Sequence, residues 1–211
     1  MTKPWIINLG LPKSGTTTLH MALESAGLKV AEHLVRKGST RFTQEADSPV
    51  SSELYEGYYK RGDPLARLAG FDALAEISIL QRHLSQWPQT DFGLLQTIRV
   101  LYPKTKFVAT WRDPEAISDS MMRWRNLGTQ RVPKLHIPGL PPGYGFTTDE
   151  QVRWITAHYL FLEMMFAGDP NFLLLDVAAP DAPNQLAAFT GAPIAWWGKA
   201  NVNPDTAPTT V

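Results

Sequence analysis

Trp5-Ile6-Ile7-Asn8-Leu9-Gly10-Leu11-Pro12-Lys13-Ser14-Gly15-Thr16-Thr17-Thr18-Leu19 is the stretch whose reading decides the fold. Trp5 to Leu9 is a short apolar run ending at glycine, the pattern of a buried strand. Gly10 to Gly15 reads as a turn. From Thr16 the period changes: Leu19, Ala22, Leu23 and Ala26 fall at i, i+3, i+4 and i+7, and Gly27 stops the run. That spacing predicts an amphipathic helix. A strand, a loop bracketed by two glycines and a helix N-terminus together form a phosphate-binding context. Glycine permits close backbone approach, successive N–H groups make a nest, and the helix end adds partial positive charge. Thr16, Thr17 and Thr18 offer hydroxyl donors to anionic oxygens.

The rest of the chain alternates in the same way. Leu28 to Ala31 reads as a second short strand. Tyr55, Tyr58 and Tyr59 suggest a helix with an aromatic face. Phe71 to Ile77 reads as a strand, Phe92 to Tyr102 as a helix and Phe107 to Trp111 as a strand. Pro114 takes a favoured first helical position. Thr147 to Gly168 reads as a long helix, with Thr148 and Gln151 as a capping-box pair. Phe172 to Leu175 is a last strand and Pro183 to Phe189 a short helix. Strands alternating with helices imply a parallel sheet covered on both faces. Leu127 to Gly145 holds four prolines and four glycines without a period, and a loop that long is usually functional or disordered. The expectation is one α/β domain over residues 1–211, with 127–146 on the acceptor side and 204–211 a flexible tail.

The loop departs from the nucleotide triphosphatase form GxxxxGK[ST], where lysine follows the second glycine. Here that position is Thr16, and the only lysine is Lys13, inside the loop. A mid-loop lysine sits over a bridging oxygen rather than reaching along a triphosphate. Asp176, the nearest candidate for a magnesium-binding carboxylate, comes late in the chain.

Pro12-Lys13-Ser14-Gly15-Thr16-Thr17 resembles the 5′-phosphosulfate loop of the sulfotransferases that use 3′-phosphoadenosine 5′-phosphosulfate. A second segment strengthens the likeness. Tyr102-Pro103-Lys104-Thr105-Lys106-Phe107-Val108-Ala109-Thr110-Trp111-Arg112-Asp113-Pro114, with Ser120 eight positions after Arg112, resembles that family's 3′-phosphate segment. A guanidinium and a hydroxyl at one helix opening clamp a phosphate. The resemblance implies a three-layer P-loop fold with a central parallel sheet flanked by helices, in a short member of bacterial type. It implies transfer of a sulfuryl group to an acceptor, most often a hydroxyl, with adenosine 3′,5′-bisphosphate as the product and no metal required. It makes Lys13 the catalytic cation, with Pro12, Ser14, Gly15, Thr16, Thr17 and Thr18 around the 5′-phosphate and Arg112 and Ser120 on the 3′-phosphate. It puts a general base near the end of a central strand, where Glu76 is the first choice and His33 the second. Lys199 and Asn201 are candidate late contacts to the donor, although the glycine- and lysine-rich closing pattern of the cytosolic enzymes is absent. A small-molecule kinase of related fold and a non-catalytic nucleotide-binding module are the alternatives.

Composition narrows the classes further. Lys and Arg total 20 and Asp and Glu total 20, so the chain carries no global charge for nucleic acid. It has no cysteine, which removes thiol nucleophiles and Cys-ligated metals. No apolar run approaches the ~20 residues of a membrane span, and no secretory leader is legible at the N-terminus, so the expected location is cytoplasmic. The acceptor is left open among small molecules, glycans and lipid head groups.

Overall fold

The computed structural model describes residues 3–200. In chain order these form β1 (Ile6–Asn8), α1 (Thr16–Ser25), β2 (Val30–Ala31), β3 (Leu34–Val35), β4 (Ser48–Pro49), α2 (Val50–Arg61), β5 (Ala73–Leu74), β6 (Ile79–Gln81), β7 (Leu84–Gln86), α3 (Phe92–Leu101), β8 (Lys106–Trp111), α4 (Pro114–Arg123), α5 (Val132–Lys134), α6 (Thr148–Met165), β9 (Phe172–Asp176) and α7 (Ala182–Thr190). Five of the strands make one parallel sheet in the order β2-β5-β1-β8-β9. The architecture is the expected α/β one, a central parallel sheet with helices on both faces.

Strand alternation divides the core. Ile6, Ala73, Val108 and Leu175 point to one face, where they meet Leu19, Ala22 and Leu23 of α1 and Ala182 and Leu186 of α7. Ile7, Leu74, Phe107 and Ala109 point to the other, against α2, α3, α4 and α6. Each fully buried Leu or Ile contributes about 1.5–3 kcal/mol relative to exposure. β1 is central, and the chain leaves it to α1 on one face but leaves β8 to α4 on the opposite face. The β1 and β8 exits therefore diverge, and a crevice opens between them at the C-terminal edge of the sheet, the usual ligand position in such folds.

The structure corrects the local expectations in four places. The strand expected over Phe71 to Ile77 is regular only at Ala73–Leu74, squeezed between β1 and β2. Beyond it the Ala75 N–H still donates to Ala31 O, and the chain then turns out at Glu76. The helical capping box is Thr147 with Glu150, one residue earlier than expected. Gln151 is instead fully buried, accepting from Ser118 Oγ and donating to Gly128 O and Gly145 O. The 127–145 stretch is ordered: Leu127–Arg131 is a π-helical turn running into α5. It buries Leu127, Val132, Ile137 and Leu140 and is pinned by Trp154 Nε1 to Pro138 O at 3.0 Å. Lastly, two small antiparallel pairs, β3–β4 and β6–β7, were not legible as strands. No helix among the described residues is long and apolar enough to cross a membrane.

Candidate active site

The loop after β1 is held from beneath by a buried polar network. Asn8 is fully buried at the end of β1. Its Nδ2 donates to Ala75 O at 2.7 Å, just past the end of β5. Its Oδ1 accepts from the Gly10 N–H at 3.1 Å and from the Thr110 N–H of β8 at 3.0 Å. Thr110 Oγ1 lies 2.7 Å from Ser14 Oγ. Tyr159 of α6 donates its hydroxyl to Thr110 O at 2.8 Å and sits 3.5 Å from the Leu11 N–H. Burial pushes the Tyr159 phenol up to about 12, so it stays a donor. His158 Nε2 is 2.9 Å from Leu9 O, and burial lowers its pKa to about 4, so the ring is neutral. His158 Nδ1 is buried without a partner, but the other groups named here are bonded, and such a network fixes a loop rigidly.

Two glycines are obligatory on steric grounds. A Cβ on Gly10 would lie 2.1 Å from Thr110 Oγ1 and 2.6 Å from Thr110 O. Gly15 has φ 113, and a Cβ there would lie 2.9 Å from Val177. Gly15 is the N-cap of α1, whose first turn carries no side-chain cap and no acidic residue. The backbone donors of that turn are thus offered to an outside anion. Lys13 has φ 70, a left-handed conformation costing a non-glycine residue about 1–2 kcal/mol. Such strain is typical of functional sites.

The expected site residues then fall into two groups. Lys13, Thr16, Glu76 and Arg112 converge, with Gly15 as the N-cap of α1 and Thr17 in its first turn. Arg112 Nη1 lies 3.5 Å from Lys13 O, so the two segments expected to hold phosphates, separated by 99 residues, touch. The half-buried Lys13 ammonium rests 3.6 Å from the centre of the Trp124 indole. Burial pulls Lys13 down to about 8; the Glu76 charge opposes this, and Arg112 and Arg123 add to it. Thr16 Oγ1 donates to Glu76 Oε2 at 2.9 Å. Burial pushes the Glu76 carboxyl above the usual range, against the Thr16 bond and the charges of His33 and Lys13. Proximity to Glu76 puts His33 beside the same site, though its Nδ1 is turned to Glu32 at 3.5 Å.

The others are placed differently. Ser14 is fully buried, and its hydroxyl serves Thr110. Pro12 is half-buried in the loop. Thr18 Oγ1 donates to Gly198 O at 3.0 Å, which ties the C-terminal stretch across α1. Ser25 Oγ accepts from the Ala195 and Trp196 N–H groups of the same stretch. Lys199 follows on this strap and is exposed; Asn201 lies outside the described residues. Ser120 is buried on α4, eight residues after Arg112. His20 pairs with Glu24 along α1, and Asp72 accepts from the Lys29 N–H, a strand-edge role.

Sequence reasoning left Trp124 unconnected to Lys13 and missed Asn8 and Thr110. The last two carried a signal, a polar residue inside an otherwise apolar strand. No spacing rule connects Trp124 to Lys13. A search of curated proteins found no match. A family model described as a sulfotransferase domain matches residues 5–168. The match runs from β1 through α6 and contains Lys13, Glu76, Arg112, Ser120 and Trp124. With the loop, the second basic segment and the greater part of the chain all inside that match, the chain belongs to the sulfotransferase domain family and is an enzyme that transfers sulfuryl groups.

Proposed function

We propose that the donor is 3′-phosphoadenosine 5′-phosphosulfate and that the acceptor atom is a hydroxyl oxygen. The observation carrying this reading is the contact of Arg112 with the Lys13 carbonyl, which joins a loop suited to one phosphate to a guanidinium suited to another. The residues present fit such a donor. The uncapped, carboxylate-free first turn of α1 offers Gly15, Thr16 and Thr17 to the 5′-phosphate. Arg112, with Ser120 on the helix behind it, suits the 3′-phosphate.

The donor supplies an activated sulfuryl group on its 5′-phosphate. The chain supplies position and charge. Lys13 is mainly protonated at neutral pH, since its pKa is about 8. It neutralises the bridging oxygen as the sulfur–oxygen bond opens and the acceptor oxygen takes the sulfur. Glu76, raised by burial and oriented by Thr16, accepts the hydroxyl proton. His33 is the second candidate for that proton. Sulfuryl transfer, like phosphoryl transfer, is catalysed chiefly by positioning and electrostatics, and the preformed network under the loop supplies both.

The test is calorimetric titration with adenosine 3′,5′-bisphosphate beside ADP and Mg-ATP. The expected result is tight, metal-independent binding of the bisphosphate, lost in Arg112→Ala far more than binding of a 3′-dephospho analogue. Preference for Mg-ATP would overturn the donor assignment in favour of a kinase.

A further inference from the structure

The exit of α4 carries two arginines, Arg125 and Arg131, to which the reading above gives no role. Arg125 is exposed and is held in the left-handed region at φ 48, like Lys13. Its guanidinium lies 6.0 Å from the Trp124 ring centre and the Lys13 ammonium 3.6 Å from the same centre, so the two charges are no more than about 10 Å apart. Arg131 follows on the π-helical turn. It is half-buried, its Nη1 donates to Leu80 O at 2.8 Å, and its Nε is buried without a partner. Leu80 belongs to the β6–β7 hairpin, which begins three residues after Glu76. Arg131 thus ties the segment leaving Trp124 to the segment leaving Glu76.

Arg36, Arg67, Arg99 and Arg123 each pair with a carboxylate. Among the described residues no carboxylate lies within ion-pair distance of Arg125 or Arg131. Burial and the Arg125 charge both disfavour the Arg131 cation. A half-buried guanidinium facing a like charge is costly until an anion arrives. Exposed surface arginines do not meet that description; Arg131 does, because part of its guanidinium is already out of water.

We infer that Arg125 and Arg131 form an anion subsite on the acceptor side of Lys13, so that the acceptor is a hydroxyl compound also bearing a carboxylate, sulfate or phosphate group. The proposal rests on the sulfuryl-transfer reading and narrows its acceptor. The anionic group sits at the arginine pair while the hydroxyl reaches the space between Lys13 and Glu76. Two guanidinium contacts also fix the orientation of the acceptor, which a single point charge does not.

The test uses inorganic sulfate as probe, titrated into enzyme saturated with adenosine 3′,5′-bisphosphate so that the loop is already filled. Sulfate binding is expected in the parent. Arg125→Gln and Arg131→Lys should each weaken it about tenfold, the usual scale of one charge-assisted contact. Affinity for the bisphosphate should stay within about twofold in both variants. Arg125 is exposed, so its replacement leaves the core intact even where Arg131 variants unfold. No sulfate binding to the loaded enzyme, or binding that both variants retain, overturns the subsite. Failure of the donor reading shows separately, as absence of bisphosphate binding before any sulfate is added.

Discussion

Trp124→Leu tests whether the indole holds the Lys13 ammonium in its cationic state. The contact is close, 3.6 Å from ring centre to nitrogen, and Lys13 is half-buried. A cation–π contact between the exposed and fully desolvated limits is worth about 1 kcal/mol. Leucine keeps an apolar side chain against the main core, where Trp124 packs, so the desolvation that depresses Lys13 stays while the ring is lost. One pKa unit corresponds to about 1.4 kcal/mol. The Lys13 pKa of about 8 should therefore fall by roughly 0.7 unit. The sign follows from which form binds: the anionic bisphosphate prefers charged Lys13, so affinity declines as pH rises through the free enzyme's Lys13 pKa. The assay is bisphosphate affinity by calorimetry from pH 6 to 9.5. The parent should break near pH 8, the leucine variant earlier and Trp124→Phe between them. A break that stays in place, or moves upward, in a variant that melts like the parent would refute the role of the ring.

Glu76→Gln should cut turnover at least ~100-fold, the range of a lost general base, with bisphosphate affinity little changed; single-turnover measurement decides, and undiminished turnover moves the base to His33. Gly10→Ala would drive a methyl to 2.1 Å from Thr110 Oγ1 and should destabilise the protein by about 1–3 kcal/mol, read as an earlier urea midpoint. His158 is neutral in the fold and charges only when unfolded, so the stability it confers is full above pH 6.5 and is lost as pH falls toward about 4. That loss should approach ~3 kcal/mol, and His158→Asn should flatten the pH dependence of the urea midpoint over this window. Thr18→Val removes the hydrogen bond to Gly198 O and should speed limited proteolysis within residues 191–200 without changing the sheet's circular dichroism.

The elements legible in the sequence were those whose signal is local. β1, the glycine-bracketed loop and α1 were readable because the hydrophobic period changes within a few residues. β8 and α4 were readable because Pro114 and Asp113 mark the helix start, and the Asp113 side chain does accept from the Glu115 and Ala116 N–H groups. β5 was overextended because burial, not pairing, gives Phe71 and Ile77 their apolar character; both are core residues outside the ladder. The 127–145 stretch carried no period because its apolar residues are spaced by docking onto α6 and the β6–β7 hairpin, contacts that no window of sequence contains. The same holds for the site. Lys13 and Arg112 stood in recognisable segments, whereas Trp124 earns its place only through a contact 111 positions away.

Asn8 has a consequence for how the protein comes to exist at all. Its amide joins partners 67 and 102 residues further along the chain. The loop's own turn bond, from the Ser14 N–H to Leu11 O, does not replace these distant partners. The pinning of the loop from beneath therefore needs the chain through Thr110. Pairings so distant in sequence are slow to form. They also make the arrival of β8 the event that fixes the loop in place.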